Sequence, residues 1–434
     1  MKGKENLFKF GKGWGIILFC LLMFWFYAGM VNDSTNIVAP AVAQKLGVSP
    51  GTVISMGTLS AFVAVIFFFI FGALNRRISA RYLSFICLII AGIGYFSMGH
   101  SNSLLMYAIA LCATTSGAMS AGYIAGGSLV AQWFPKKKGI VMGYTTMGHN
   151  LATGFFVPLI SFLVTRLGVE NAVIIPSVLV VILAIFGLTF VKNTPKEIGL
   201  YPDNVTKEIF DKEYFHENID SNGGWTVKKL FKRPTFWLVA VTSGGFQLVS
   251  TIIITQLVVR NMEVGFSQLK AVSIMTILAF AGLIGSWLIG YLDQKMGTKK
   301  AMMIFGVWYA IALLLNFTNN IVLIYIFLVM FAICLGGSAN FTTSLPASVF
   351  GRHGFEKVNS VLFPIQALVS SFGFLVNGSV LNATGSLRFS YIIAAIAAIV
   401  NVLLLIFIKE HKYNRDFMSE KDAESLTKSL ELEK

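Results

Sequence analysis

Charge is what this chain lacks. Of its 434 residues, 12% are charged, about half of the roughly 25% found in ordinary soluble domains. Most of the chain therefore cannot face water, and a soluble protein with one large core is excluded by its shortage of polar surface. Cysteine is also scarce. Cys20, Cys87, Cys112 and Cys334 all fall inside apolar runs, with no CxxC and no Cys/His cluster. That pattern offers neither a disulfide framework nor a zinc site, so no metal is expected. No GxxxxGK[ST] loop is present, which argues against ATP-driven work. No Ser/His/Asp grouping sits in a polar segment, and no polar segment is long enough to hold a catalytic domain. An enzyme is not expected, nor a cofactor. The net charge of +14 would suit nucleic acid or anionic lipid. Its concentration in alternate loops favours a topology signal instead, and no nucleic-acid partner is expected.

Long apolar runs are what the chain has. Hydrophobic residues make up 56% of it and its mean hydropathy is +0.73. A bilayer core about 30 Å thick takes roughly 20 apolar residues per helix. Twelve such spans are predicted: 14–39, 51–74, 82–99, 103–133, 139–165 and 171–191, then 235–259, 268–292, 301–317, 320–349, 358–382 and 388–408. The chain reads as an all-α membrane protein, with twelve transmembrane helices in two pseudo-symmetric six-helix bundles. Residues 1–192 form the first bundle, 193–234 a central loop, 235–410 the second bundle and 411–434 a tail. Within the loop, Val227–Phe231 is a short amphipathic stretch suited to a membrane surface. Lys2, Lys4, Lys9 and Lys12 precede the first run as in a signal peptide. No small-residue cleavage site follows, so the first span is expected to be retained.

Basic residues orient the chain. Fifteen lie on one side, in the N-terminal segment, at Arg76, Arg77 and Arg81, at Lys136, Lys137 and Lys138, at Lys295, Lys299 and Lys300, and at Arg352 and Lys357. Five lie on the other, Lys45, Arg166, Arg260, Lys270 and Arg388. Both termini and the central loop are thus expected in the cytoplasm, with the chain in the cytoplasmic membrane.

One loop pattern occurs twice. Gly290-Tyr-Leu-Asp293-Gln-Lys-Met-Gly297-Thr-Lys299-Lys300 joins spans 8 and 9, and Gly72-Ala-Leu-Asn75-Arg76-Arg-Ile-Ser79-Ala-Arg81 joins spans 2 and 3. A G-x-L-D-x-x-x-G-x-K-K loop at this place in a twelve-span chain resembles the major facilitator superfamily. The resemblance covers about residues 14–408. It implies two halves with a pathway between them. It also implies a latch on the cytoplasmic side at Gly290, Asp293, Gly297, Lys299 and Lys300, with Gly72, Asn75, Arg76 and Arg81 as the first-half copy. That copy has Asn75 in place of the acid and Ser79 in place of the second glycine. Three segments are similar to the monocarboxylate and oxalate:formate antiporter branch. They are Trp133-Phe-Pro-Lys-Lys-Lys-Gly139-Ile-Val-Met-Gly143, Thr194-Pro-Lys-Glu-Ile-Gly199-Leu-Tyr-Pro-Asp203 and Arg233-Pro-Thr-Phe-Trp237. Oxalate carriers of that branch use a cation in spans 8 and 11. Here Val272–Leu292 and Val358–Asn382 contain neither Lys nor Arg, and span 4 lacks the Arg of many proton-coupled members.

Polar residues inside spans are the candidates for binding substrate or protons. Asp33, in Asn32-Asp-Ser-Thr-Asn36, is the one acid well inside a span. It lies 21 residues beyond Lys12, about 31 Å at 1.5 Å per residue. Intramembrane acids mark function by default: Asp33 titrates during transport or holds a cationic group, unless it is a helix end in water or an acid capped by neighbouring amides. His149 sits near the middle of span 5, where its charge can switch near neutral pH or its ring can simply pack. Tyr27 and Tyr123 either shape a cavity or fill volume. Gln247 and Gln256 in span 7, Asn340 in span 10 and Gln366 in span 11 either line a polar cavity or bond helix to helix. The glycines of spans 4 and 5 suit close helix packing, and Pro158, Pro176, Pro346 and Pro364 are expected to kink their helices. Together these features predict a monomeric secondary transporter. Its expected cargo is a small organic anion of monocarboxylate type, moved with protons or by exchange. A cationic or zwitterionic solute held at Asp33 is the alternative, and a membrane sensor or scaffold that moves nothing is another.

Overall fold

A computed structural model describes residues 10–213, 225–351 and 355–410. The expected tail 411–434, and Lys2, Lys4, Lys9 and Arg352 from the charge comparison, lie outside these residues. Among the described residues ten helices are long and apolar enough to cross a membrane. An eleventh, Ile321–Phe350, is bent by 46° between Ile321–Leu335 and Asn340–Phe350. A twelfth, Ile174–Phe190, is apolar but has 17 residues. The twelve-helix fold expected from the sequence is therefore present.

The solvent of these helices is visible in what they expose. Span 2, Pro50–Leu74, turns Phe62, Ile66, Phe67, Phe69 and Ile70 outward, and span 8, Gln268–Met296, exposes Ile277, Ile284 and Trp287. Such surfaces are stable against lipid tails, and a helix satisfies its own backbone there. Polar side chains appear at the ends instead. Ser49, Ser103 and Asn320 each accept a backbone N–H at the start of a span.

Three spans depart from simple rods. Span 1 runs from Gly11 to Leu46 with a π-helical stretch at Ala28–Asp33, where Ser34 N donates to Gly29 O at 2.9 Å. It passes through Pro40 to a left-handed Gly47 rather than stopping near residue 39. Span 5 starts at Lys138, and Gly168 (φ 74, ψ 166) interrupts the helix that continues to Ala172. Val173 N bonds Val169 O, so the sixth span effectively begins at Val169 and reaches the length a bilayer needs. Span 7 is broken, with Pro234–Ile254 followed by Leu257–Glu263. The bend in span 10 falls around Gly336 and Gly337, not at Pro346 as expected. Paired glycines free the backbone to bend.

The chain divides into two compact units. One comprises Met1–Glu217, Thr251–Leu283 and Ser371–Ser390, that is, the first six spans with parts of spans 7, 8 and 11 and the start of span 12. In it, span 2 crosses span 11 where Gly51 meets Gly378, a spot with no room for a Cβ on either side. Thr276 Oγ1 of span 8 donates to Gly154 O of span 5 at 2.9 Å. All these residues lie away from the basic loops. Span 5 is seated on span 1 at Gly148, whose Cβ would strike Leu21 O and Trp25 N, and Gly117 lies against Cys87 O. The packing role expected of these glycines holds at Gly117, Gly148 and Gly154, whereas Gly127 and Gly143 have open space beside them.

The other unit comprises Asn218–Ser250, Ile284–Ser370 and Tyr391–Lys434. Phe246, Phe305 and Phe341 form an aromatic core there. Val227–Phe231, the amphipathic stretch of the central loop, is a helix capped by Thr226.

Candidate functional site

Asp33 ends the π-helical turn of span 1, and it is 2% exposed. The reading of a helix end standing in water is therefore wrong, because neighbouring helices cover it. Thr153 of span 5 donates its Oγ1 proton to Asp33 Oδ2 at 3.0 Å. Among the described residues no cation forms an ion pair with this carboxyl. Leaving a carboxylate in such a place costs several kcal/mol unless a proton or a cation neutralises it.

One turn of span 5 away stands His149. Thr153 Oγ1 lies 3.5 Å from His149 O, so the two residues share a face at i, i+4. Nδ1 of His149 is 3.1 Å from Thr146 O. A carbonyl only accepts, so Nδ1 carries the hydrogen and Nε2 of the neutral ring is an acceptor. Tyr123 Oη of span 4, Leu104–Trp133, lies 3.3 Å from that Nε2. Phe24 and Tyr27 of span 1 close the group, with Tyr27 edge-on to Tyr123 and to His149 at 5.7 Å. Tyr27, Tyr123 and His149 are half-buried, and so is Asn32. A second π-helical stretch, Ala121–Gly126, carries Tyr123 in span 4. Two π-helical turns thus present the acid and one phenol of the same group.

Asn36 has another place. Its Nδ2 donates to Ile254 O at 2.7 Å and to Asp33 O at 3.1 Å, and its Oδ1 accepts from Val258 N at 3.0 Å. Gln256 lies in the break of span 7 between those partners, fully buried, with neither side-chain amide atom bonded. Gln247, Asn340 and Gln366 fall in the other unit. Asn340 Nδ2 donates to Ser286 O at 2.9 Å, and Gln366 Nε2 to Ser243 Oγ at 2.6 Å and Thr342 O at 3.1 Å. Those two bond helix to helix, while Gln247 is half-buried.

The expected latch residues build local caps. Gly297 holds φ 85, ψ 152 between spans 8 and 9, and Thr298 Oγ1 donates to Asp293 Oδ1 at 2.6 Å. Lys299 Nζ donates to Ile406 O and Ile408 O, both at 2.9 Å, capping span 12, Arg388–Ile406. Gly290 packs beside Asn340 and Lys300 is exposed. In the first copy Asn75 caps span 2 and Arg76 is exposed. Arg81 N bonds Asn193 Oδ1 at 2.9 Å, and Gly72 has open space around it.

Two of the branch-like segments meet. Buried Asp203 accepts Lys136 N at 3.0 Å and Lys137 N at 3.1 Å, fixing the turn that enters span 5. Sequence reasoning missed Asp203, Thr153 and Arg260. Only Thr153 left a signal, its i, i+4 spacing from His149. Arg260, counted as a loop cation, is 1% exposed and pairs with Glu263 at 3.2 Å. Among the described residues no group of three His, Cys, Asp or Glu is placed to hold a metal.

The sequence profile of the Major Facilitator Superfamily matches residues 15–300 and 263–431. The chain belongs to the major facilitator superfamily. This superfamily member is 23% identical over 297 residues to the uncharacterized MFS-type transporter YhjX of Escherichia coli K12, covering 67% of this chain and 70% of that one. It is 26% identical over 292 residues to the oxalate:formate antiporter of Oxalobacter formigenes, covering 64% and 63%. With the hexose-6-phosphate:phosphate antiporter of Salmonella typhimurium LT2 it shares 26% over 218 residues, covering 48% and 46%. Among solved structures, a bacterial homolog of the human lysosomal transporter Spinster superposes with a TM-score of 0.71 at 15% identity, covering 94% of this chain and 98% of that one. That likeness establishes the fold. The chain is a multi-pass membrane protein of a transporter family.

Proposed function

We propose that this superfamily member is a proton-coupled secondary transporter of a small organic anion, a short monocarboxylate first, and that Asp33 carries the proton. The observation behind this reading is the Asp33 carboxyl, buried, bonded to Thr153 and lacking an ion pair among the described residues. With a proton on Asp33 the site is neutral, and the hydroxyl of Tyr27 is a donor for a substrate carboxylate, while that of Tyr123 is held by His149 Nε2. Loss of the proton leaves two like charges close together and favours release. The relatives named above as antiporters carry anions by name, which supports an anionic cargo. The absence of Lys and Arg from Val272–Leu292 and Val358–Asn382 weighs against a doubly charged one. The basic loops support a cytoplasmic-membrane location with both termini in the cytoplasm.

Asp33 also favours a second reading, in which a cationic solute takes the proton's place. Uptake into proteoliposomes under an imposed pH gradient separates the two, with labelled formate, acetate, lactate and pyruvate compared against an organic cation. Asp33→Asn is expected to abolish gradient-driven accumulation of the anion while exchange persists. Unchanged accumulation in this variant refutes the role of Asp33, and uptake of the cation alone refutes the anionic cargo.

A further inference from the structure

Ile254 O and Val258 N are i and i+4 positions of span 7, so an unbroken helix would bond them to each other. Here the helix is broken, and the Asn36 amide stands between them, donating to one at 2.7 Å and accepting from the other at 3.0 Å. The same amide donates to Asp33 O. One side chain of span 1 therefore completes the backbone of span 7 while bonded to the turn that bears the acid. Within the break, Gln256 has both side-chain amide atoms buried and unbonded. A buried amide in that position marks the break as a polar spot within an apolar span.

We propose that Asn36 is a positioning residue that couples the state of Asp33 to the break in span 7, so that a change at the acid opens or closes the helix ends on the side away from the basic loops. This rests on the reading of Asp33 as the proton site. The coupling is local. Asn36 is three positions beyond Asp33, and the intervening Ser34 and Thr35 bond back to Met30 O and Val31 O. The turn therefore moves as one piece. Thr58 offers a comparison, because it joins span 2 to span 11 in the same unit by bonds to Ser371 O and Leu375 N, neither of them in the Asp33 turn.

The test needs no substrate. A cysteine at position 258, where Val258 is 1% exposed, reports opening of the break through its reaction with a water-soluble maleimide. The full chain is held in nanodiscs and measured against the same chain without Val258→Cys. Asn36→Ala is expected to raise labelling about fivefold or more. Asp33→Asn, which makes the acid permanently neutral, is expected to change labelling about threefold or more when Asn36 is present and to have no effect in Asn36→Ala, the signature of coupled sites. In Thr58→Val the effect of Asp33→Asn is expected to persist, although labelling itself rises. Wild-type labelling in Asn36→Ala overturns the inference. So does an Asp33→Asn effect of equal size with and without Asn36. Monodisperse elution of each variant establishes that it is folded. Failed anion uptake together with intact coupling would count against the cargo and not against Asn36.

Discussion

Thr58→Val replaces a hydroxyl with a methyl of nearly the same shape inside the backbone ladder of another helix. The Thr58 hydroxyl donates to Ser371 O at 2.6 Å and accepts from Leu375 N at 3.1 Å. Those two backbone groups are i−4 and i partners in span 11, Phe355–Thr384. If the ladder stays open after the change, two buried backbone groups lose a partner at about 1–3 kcal/mol each. If it closes, the cost falls to the net value of one bond, about 0.5–1.5 kcal/mol. Span 11 is one continuous helix through both groups, and Gly57 against Phe374 and Gly51 against Gly378 hold it to span 2 on either side. The expected loss is therefore about 1 kcal/mol. Thr58→Ser keeps the hydroxyl and loses one methyl, a loss of about 0.8 kcal/mol or less. Unfolding titrations in mixed micelles, followed by intrinsic fluorescence, measure both. Wild-type stability of Thr58→Val, or a larger loss in Thr58→Ser than in Thr58→Val, refutes the inserted-hydroxyl argument.

Three further changes follow from the geometry. Gly148→Leu forces span 5 away from Leu21 O and Trp25 N; overpacking of about 1–3 kcal/mol is expected in the same titration, with a drop in anion uptake because Thr153 rides on the displaced helix. Asp203→Ala leaves Lys136 N and Lys137 N without the carboxylate that holds them; faster proteolysis of the loop entering span 5 checks it, with a stability loss of about 1–3 kcal/mol. Gly297→Ala places a Cβ at φ 85 beside Glu410; strain of about 1–3 kcal/mol is expected to lower the midpoint of thermal unfolding, whereas Lys300→Ala, at an exposed position, leaves it unchanged.

Apolar length and basic loops are properties of single segments, and they are legible without knowing any neighbour. A run of about 20 apolar residues is stable as a helix in lipid whatever packs against it. The twelve helices, the two repeated loops and the family therefore followed from the chain alone. The short break in span 7 and the π-helical turn at Ala28–Asp33 did not, because both are compensated by side chains from other helices. Asn36 supplies the bond that Ile254 and Val258 lose, and Thr153 supplies the partner of Asp33. Gln366, Asn340 and Asn36 look alike in sequence, as amides in apolar runs. Only tertiary structure separates two that bond helix to helix from one that completes a broken backbone beside an acid. Whether a polar side chain in a span is mortar or machinery depends on which groups the fold brings within 3 Å of it. That distance is set by packing between segments far apart in the chain.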